Sequence, residues 1–138
     1  MSSSGQSLFI TEVTIHYRKD YGVLVTFRKI VNNKTIVTLT LEAVTKLCSE
    51  ISKKRNLRSI RIKTPVGTLF VEHSEGIYKI TPKKIHGGKK FLPKNPDNQT
   101  CELRLSYHQV MYLKECVEGY KPEKNKIHRR FLNPLQKF

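Results

Sequence analysis

The sequence is poor in cysteine and in acidic residues, and it contains no long apolar run. No stretch approaches the roughly 20 apolar residues that a membrane-spanning helix requires. The cysteines are Cys48, Cys101 and Cys116, an odd number without the CxxC spacing of a zinc site. We therefore expect no membrane span, no disulfide framework and reduced thiols that mostly belong to the core.

Groupings of catalytic side chains are scarce as well. The five histidines share no metal-ligand spacing, and the 11 acidic residues are scattered, with Glu72, Glu75 and Lys79 as the nearest approach to an active-site grouping. The glycine pair at 87–88 lacks the flanking residues of a phosphate-binding loop. The sequence predicts a protein that is not an enzyme and has no catalytic residues, metal ion or cofactor. A metal-dependent nuclease is the alternative from another class, and it would need clustered carboxylates.

Positive charge is the most prominent feature that is present. The 138 residues include 26 Lys and Arg against 11 Asp and Glu, which gives a formal net charge of +15. Such an excess favours a polyanionic partner. An anionic membrane surface is the second choice, because the basic residues are spread over predicted strands, loops and the C-terminal region and do not form one amphipathic helix. The polar start "MSSSGQS" has no signal-peptide core, so residues 1–7 are interpreted as a flexible leader of an intracellular protein.

A first unit of strands and a helix is predicted for residues 8–56. Val13, Ile15 and Tyr17 alternate with polar residues, and two further alternating runs follow the turns "KDYG" and "NNK". Thr40 then caps a helix, because its hydroxyl can accept from a free amide of the first turn. The helix has an apolar stripe formed by Val44, Leu47, Cys48 and Ile51.

A second unit of the same kind is predicted for residues 57–120. Strands begin with Ile60 and Ile62, and after the turns "TPVG" and "HSEG" a long, basic, proline-containing loop occupies 81–99. Ser106 and Gln109 have the spacing of a capping box at the start of a second helix, which ends at Gly119. Residues 121–138 are interpreted as a basic tail, in which "HRR" at 128–130 is a weak candidate for nuclear import or polyanion contact.

The two units repeat one pattern. When Leu39 is placed over Leu105, the capping residues coincide and the apolar positions of both helices align without a gap. Neither unit can cover both faces of its sheet alone, so each is expected to pack against the other. The predicted fold class is α+β, with two β-meander-plus-helix repeats forming antiparallel curved sheets packed through two helices as a pseudo-dimer.

These residues resemble the positive cofactor four family of transcriptional coactivators. The resemblance lies in the leucine, capping residue and apolar positions of each helix, and in "YRKDYGVLVTFRK" at 17–29, which is similar to the family's basic–Asp–aromatic turn and following strand. The resemblance implies a fold in which single-stranded DNA binds across basic sheet surfaces. Whirly proteins and mitochondrial guide-RNA-binding proteins use a similar unit twice per chain.

The resemblance also implies contact residues at particular positions. Lys19 and Tyr21 match the basic and aromatic positions of the turn, and Arg28 matches the basic residue that ends the second strand. Lys34 matches loosely, and Lys63 takes the basic turn position of the second unit, where "TPVG" has no aromatic residue. This departure suggests that the two halves bind unequally.

Residue chemistry alone gives a similar candidate set. A single nucleic-acid strand offers phosphates and exposed base faces, so its receptor combines cations with flat side chains. The contact residues predicted in this way are Tyr17, Arg18, Lys19, Tyr21, Arg28, Arg61 and Lys63, and the resemblance adds Lys34. The loop lysines Lys83, Lys84, Lys89 and Lys90 are further candidates, with a disordered tether as the alternative for them. The predicted function is non-catalytic binding of single-stranded DNA in transcription or in replication and repair, in the nucleus or wherever that nucleic acid is used. The alternatives are a single-stranded RNA-binding module and a basic packaging protein. A homodimer of pseudo-dimers and contacts with the transcription or replication machinery are further expectations.

Overall fold

Two antiparallel sheets and two helices make up the part of the chain that the structure describes. The computed structural model describes residues 10–19, 22–31, 34–54, 56, 58–64, 67–84, 102–121 and 127–132. In chain order the elements are β1 (Thr11–Arg18), β2 (Gly22–Lys29), β3 (Thr35–Thr40), α1 (Leu41–Lys53), β4 (Ser59–Thr64), β5 (Gly67–Ser74), β6 (Ile77–Lys84), β7 (Leu103–Ser106), α2 (Tyr107–Glu118) and β8 (His128–Leu132). This arrangement confirms the α+β class with two sheets and two helices.

Each sheet has four strands. The first sheet has the order β3-β2-β1-β8, and the second has the order β4-β5-β6-β7. Residues 121–138 were expected to form a tail, whereas the structure places β8 at the edge of the first sheet, where Thr11 pairs with Leu132 and Ile15 with His128. Leu132 is fully buried there. The pairing of β1 with β8 joins segments that are far apart in the sequence, so no local sequence pattern predicts it.

The hairpin between β5 and β6 extends further than expected. Ser74 pairs with Ile77 across a two-residue turn in which Glu75 and Gly76 both have positive φ angles, 52° and 78°. Two such residues are typical of the type I′ turn that matches strand twist. β6 continues to Lys84, so the first part of the expected loop 81–99 is a β-strand. The remainder of that loop lies outside the described residues, as do the leader at 1–7 and Cys101.

Both predicted helix caps are present. The Thr40 hydroxyl accepts from the amide of Ala43 at 3.1 Å, which satisfies a free donor of the first turn of α1. At α2, the Ser106 hydroxyl accepts from the Gln109 amide at 3.2 Å, and the Gln109 side chain accepts from the Ser106 amide at 2.8 Å. This reciprocal pair is the predicted capping box. Gly119 is the C-cap of α2, also as predicted.

The helices join the two sheets into one hydrophobic core. α1 packs on α2 and contacts β2 and β3 of the first sheet and β4 of the second. α2 contacts β7 of the second sheet and β8 of the first. The predicted stripes of both helices are buried within a single cluster: Val44, Leu47, Cys48, Ile51, Val110, Leu113 and Val117. Each sheet therefore has an inner face that packs on the helices and an outer face that carries the polar residues.

Candidate nucleic-acid interface

An aromatic ring flanked by two cations lies on the outer face of the second sheet. Arg61 of β4 pairs with Phe70 of β5, which in turn pairs with Thr81 of β6. The Arg61 guanidinium carbon is 5.2 Å from the centroid of the Phe70 ring, and the Lys83 ammonium is 6.0 Å from it. Both distances are within the range of cation–π attraction. We call Arg61, Phe70 and Lys83 the Phe70 cluster.

Exposed cations continue along the face that carries the Phe70 cluster. Lys63 and Lys83 both pair with Thr68, one from each side, so they lie on the same face as the cluster. Arg61, Lys63 and Lys83 are exposed, and among the described residues none of them forms an ion pair with a carboxylate. An uncompensated row of cations at the β4–β6 side attracts polyanions.

Toward β7, at the other edge of the same outer face, the charges are balanced. Glu102 lies 3.7 Å from the Lys79 ammonium and also binds the Arg104 guanidinium. The hydrogen bond from Arg104, together with the nearby Lys79, holds the pKa of Glu102 below its usual range. Positive potential on this face therefore concentrates at β4, β5 and the end of β6.

On the outer face of the first sheet, one carboxylate lies between two arginines. Glu12 of β1 pairs with Arg28 of β2 on one side and with Phe131 of β8 on the other. Its two oxygens lie 3.4 Å from the Arg28 guanidinium and 3.5 Å from that of Arg129. The Glu12 side chain is only 10% exposed, whereas that of Arg129 is 58% exposed. Phe131 is 51% exposed beside it. We call Glu12, Arg28, Arg129 and Phe131 the Glu12 cluster.

A row of hydrogen-bonding side chains continues across this face. The His16 ring nitrogen Nε2 lies 3.2 Å from the Thr26 hydroxyl, which lies 3.1 Å from the hydroxyl of Thr38. Cross-strand threonine contacts of this kind stabilise neighbouring strands. The outer face of the first sheet thus combines arginines at one end with hydrogen-bonding groups along its middle.

The remaining predicted contact residues of the first unit lie at strand ends. Arg18 pairs with Gly22 at the β1–β2 hairpin, and the exposed Lys19 follows it. Tyr17 is 57% exposed, but by register it belongs to the same face as Ile15 and so lies opposite the face of Arg28. Lys34 is exposed, and its carbonyl accepts from the Lys29 amide at 2.9 Å to close the β2–β3 turn.

The structure therefore divides the predicted set between two sheets. Arg61, Lys63 and Lys83 come together on the second sheet, whereas Arg28 belongs to the Glu12 cluster on the first. Lys84 is the last residue of β6, and its side chain lies outside the described part. Tyr21, Lys89 and Lys90 also lie outside the described residues.

Two aromatic residues that lie with these cations, Phe70 and Phe131, were not among the predicted contact residues. Phe70 is the outward member of the alternating run "TLFVE", so its face and its neighbour Arg61 follow from strand alternation and hairpin register. Phe131 and Arg129 lie within the presumed tail, and only the pairing of β8 with β1 brings them to the sheet. Lys79 and Arg104, which also lie on the outer face of the second sheet, were not among the predicted contact residues either.

Among the described residues, no group of three or more His, Cys, Asp or Glu side chains could hold a metal ion. Neither described helix has the length and apolar character needed to cross a membrane. Comparison of the chain with protein-family models, curated proteins and solved structures gave no match.

Proposed function

We propose that this protein binds single-stranded nucleic acid, with a preference for DNA, on the outer faces of its two sheets and without catalysing a reaction. The Phe70 cluster supports this proposal most directly, because it places a flat apolar ring within 5.2 Å of a guanidinium and 6.0 Å of an ammonium group. A base stacked on the ring, or on the guanidinium plane above it, would have its phosphates beside these cations.

The proposal needs both the attraction of phosphates by the cations and the stacking of bases on the Phe70 ring. Charge alone would attract duplex and single strand alike, since both carry phosphates. Stacking requires unpaired bases and contributes roughly 1–3 kcal/mol per base. A face that presents Phe70 among Arg61, Lys63 and Lys83 therefore favours the single strand over the duplex.

We further propose that the chain is a pseudo-dimer of two strand–helix units. The support is the matching strand order of the two sheets. Counted from one edge, the first sheet has the order β8-β1-β2-β3 and its edge strand β3 leads into α1. The second sheet has the order β4-β5-β6-β7 and its edge strand β7 leads into α2. Leu39 pairs with Val25 and Leu105 with Tyr78, and these partners pair with Ile15 and His73. In this correspondence the β1 strand matches β5, and Glu12 occupies the position of Phe70.

This correspondence predicts unequal halves. The centre of the second sheet carries an aromatic ring among free cations, whereas the centre of the first carries a carboxylate that neutralises its arginines. Tighter binding is expected on the second sheet, although the turn and strand sequence that resembles the coactivator family lies in the first unit. We assign the protein to transcription or to replication and repair inside the cell, with an RNA-binding module or a packaging protein as the competing functions.

Fluorescence anisotropy with labelled single-stranded DNA, duplex DNA and single-stranded RNA of one sequence, across a salt series, tests the function. The expected result is tightest binding to single-stranded DNA, retained at about 0.15 M salt, where long-range attraction is screened. Preference for single-stranded RNA would support the RNA-binding module. Equal binding to all three that disappears with salt would leave only non-specific charge and would contradict the proposal.

Variants of the Phe70 cluster give a sharper test. Phe70→Leu retains an apolar side chain but removes the ring, so single-strand affinity should fall about fivefold or more, since one stacked base contributes roughly 1–3 kcal/mol. Lys63→Gln should lower the slope of log affinity against log salt by about 0.7. Lys53→Gln, an exposed lysine at the end of α1, is the matched control and should leave the slope unchanged.

A further inference from the structure

The outer face of β5 changes in chemistry along the strand. Thr68, Phe70 and Glu72 alternate with the buried residues of β5, so all three side chains project from the outer face. Successive members are two residues apart, about 7 Å along the strand, and the whole series covers about 14 Å. Thr68 lies between two lysines, Phe70 carries the aromatic ring, and Glu72 carries a carboxylate. The face therefore passes from cationic through aromatic to anionic.

Two ammonium groups flank the cationic end of this series. Lys63 of β4 and Lys83 of β6 pair with Thr68 from opposite sides, and both lysines are exposed. Thr68 is half-buried between them and adds a hydroxyl donor. Two cations and a hydroxyl suit one phosphate group. A nucleic-acid backbone that follows this row crosses β4, β5 and β6 and keeps its phosphates away from Glu72.

The carboxylate at the other end of the series is exposed and has a lysine beside it. Glu72 pairs with Ser59 of β4 and with Lys79 of β6. The Lys79 ammonium lies 3.7 Å from the Glu102 carboxylate, and no ion pair between described residues includes Glu72. An ionised carboxylate only accepts hydrogen bonds, whereas an ammonium group only donates them. This end of the face thus offers two acceptor oxygens next to a donor.

One nucleotide has its groups in the same order. Its phosphate matches the lysine row, and its base can stack on Phe70 or on the neighbouring Arg61 guanidinium. The base-pairing edge then faces Glu72 and Lys79. Guanine presents two adjacent N–H donors and one carbonyl on this edge, which match a carboxylate and an ammonium group. Thymine presents one donor between two carbonyls, and a carboxylate repels those carbonyls.

We propose that the outer face of the second sheet prefers guanine among the four bases, and that Glu72 selects it by accepting from N1–H and the 2-amino group. Lys79 donates to the guanine O6 atom in the same arrangement. This inference rests on the proposed function, because it concerns the base that stacks at the Phe70 cluster.

Anisotropy with a labelled thymidine oligonucleotide tests the preference when its central base is replaced by guanine, adenine, cytosine or hypoxanthine. The guanine strand should bind about fivefold or more tightly than the all-thymine strand, since a good bidentate contact gives at least that discrimination. Hypoxanthine lacks the 2-amino group of guanine and should bind less tightly than guanine does.

Variants of two exposed acids of the β5–β6 hairpin identify the residue responsible. Glu72→Gln should remove the guanine preference, because an amide presents one acceptor beside a donor in place of two acceptors. Glu75→Gln removes the same charge from the turn between β5 and β6 and is the matched control, in which the preference should be retained. Circular dichroism confirms that each variant is folded.

Failure of the guanine inference and failure of the proposed function give different results. Single strands that bind equally well whatever their central base would overturn the guanine inference and leave the proposed function standing. A guanine preference that persists in Glu72→Gln, or that is lost to the same extent in Glu75→Gln, would also overturn the inference. If no single strand binds, the proposed function fails and the inference fails with it.

Discussion

The side-chain amide of Gln109 donates from Nε2 to the backbone carbonyl of Leu132 at a distance of 2.9 Å. The same side chain accepts from the Ser106 amide through Oε1 in the capping box of α2. Gln109 is buried, with 3% of its surface exposed. One residue thus ties the start of the second helix to the last strand of the first sheet.

Two substitutions separate these roles of Gln109. Gln109→Ala removes both bonds and leaves a buried carbonyl without its partner, so it should lower the free energy of unfolding by roughly 1–3 kcal/mol. Gln109→Glu keeps an acceptor for the Ser106 amide but cannot donate to Leu132 when ionised, so it should also be destabilising. Urea denaturation followed by circular dichroism measures both. A Gln109→Glu protein as stable as the parent would show that the bond to Leu132 contributes nothing.

Replacing Glu12 with glutamine should strengthen nucleic-acid binding while weakening the fold. The carboxylate neutralises Arg28 and Arg129 at 3.4 and 3.5 Å, so its removal frees positive charge on the outer face. The salt slope for single-stranded DNA should steepen by about 0.7, the value for one additional neutralised phosphate. Stability should fall, because two neighbouring guanidinium groups lose their shared counter-charge.

Glu42→Gln is the matched control for this substitution. Glu42 is an exposed acid in the first turn of α1 that lies 3.9 Å from Lys46. It should change neither the salt slope nor the urea midpoint appreciably. An unchanged slope in Glu12→Gln, beside an unchanged control, would show that Arg28 and Arg129 do not contact phosphates.

Glu102 should contribute to stability at neutral pH and lose that contribution in acid. Its hydrogen bond with Arg104 lowers its pKa in the folded protein, with a smaller effect from Lys79. A lowered folded-state pKa means that the stabilisation is present above the unfolded-state value, about 4.3, and is lost as the pH falls through the folded-state pKa. The melting temperatures of the parent and of Glu102→Gln, measured between pH 7 and pH 2, should therefore differ at neutral pH and become equal in acid. Parallel curves over the whole range would contradict this assignment.

The two described cysteines should differ in reactivity. Burial raises the pKa of Cys48 to about 12, so almost none of its thiolate is present at pH 7. Cys116 is partly buried, and burial raises its pKa as well. Alkylation of the native protein, mapped by mass spectrometry, should modify Cys116 slowly and Cys48 only after addition of urea. Rapid modification of Cys48 in the native state would show that the interface between α1 and α2 opens readily.

Local patterns were sufficient for most individual elements. Thr40 and Ser106 were predicted as caps because a cap depends on hydrogen bonds within one helical turn, and both bonds are present. The buried stripes of both helices followed from three- and four-residue spacing, which is also a local property. Strand alternation correctly separated Ile62 from Arg61 and Lys63, because side chains of a strand alternate between faces.

Local sequence patterns predicted only part of the candidate interface. Arg61, Lys63 and Lys83 were predicted as contacts, but their relation to Phe70 depends on the register of two hairpins. For the Glu12 cluster, Arg28 was predicted without its partners, since Arg129 and Phe131 reach Glu12 only through β8. The basic sequence "HRRFL" has little apolar alternation, which is why it was interpreted as a tail. Its strand conformation comes from the free edge of β1 and not from its own propensity.

The sequence by itself determined the charge of the protein, the two capped amphipathic helices and the polar and apolar sides of most strands. These properties depend on composition and on contacts between residues close together in the chain. Only the tertiary structure decided that β8 completes the first sheet, that Phe70 lies beside Arg61 and Lys83, and that Gln109 joins the start of α2 to Leu132. Those features depend on which distant segments pair, and that choice is made by burial of the shared core and by hydrogen bonding of free strand edges, neither of which is written in any short stretch of sequence.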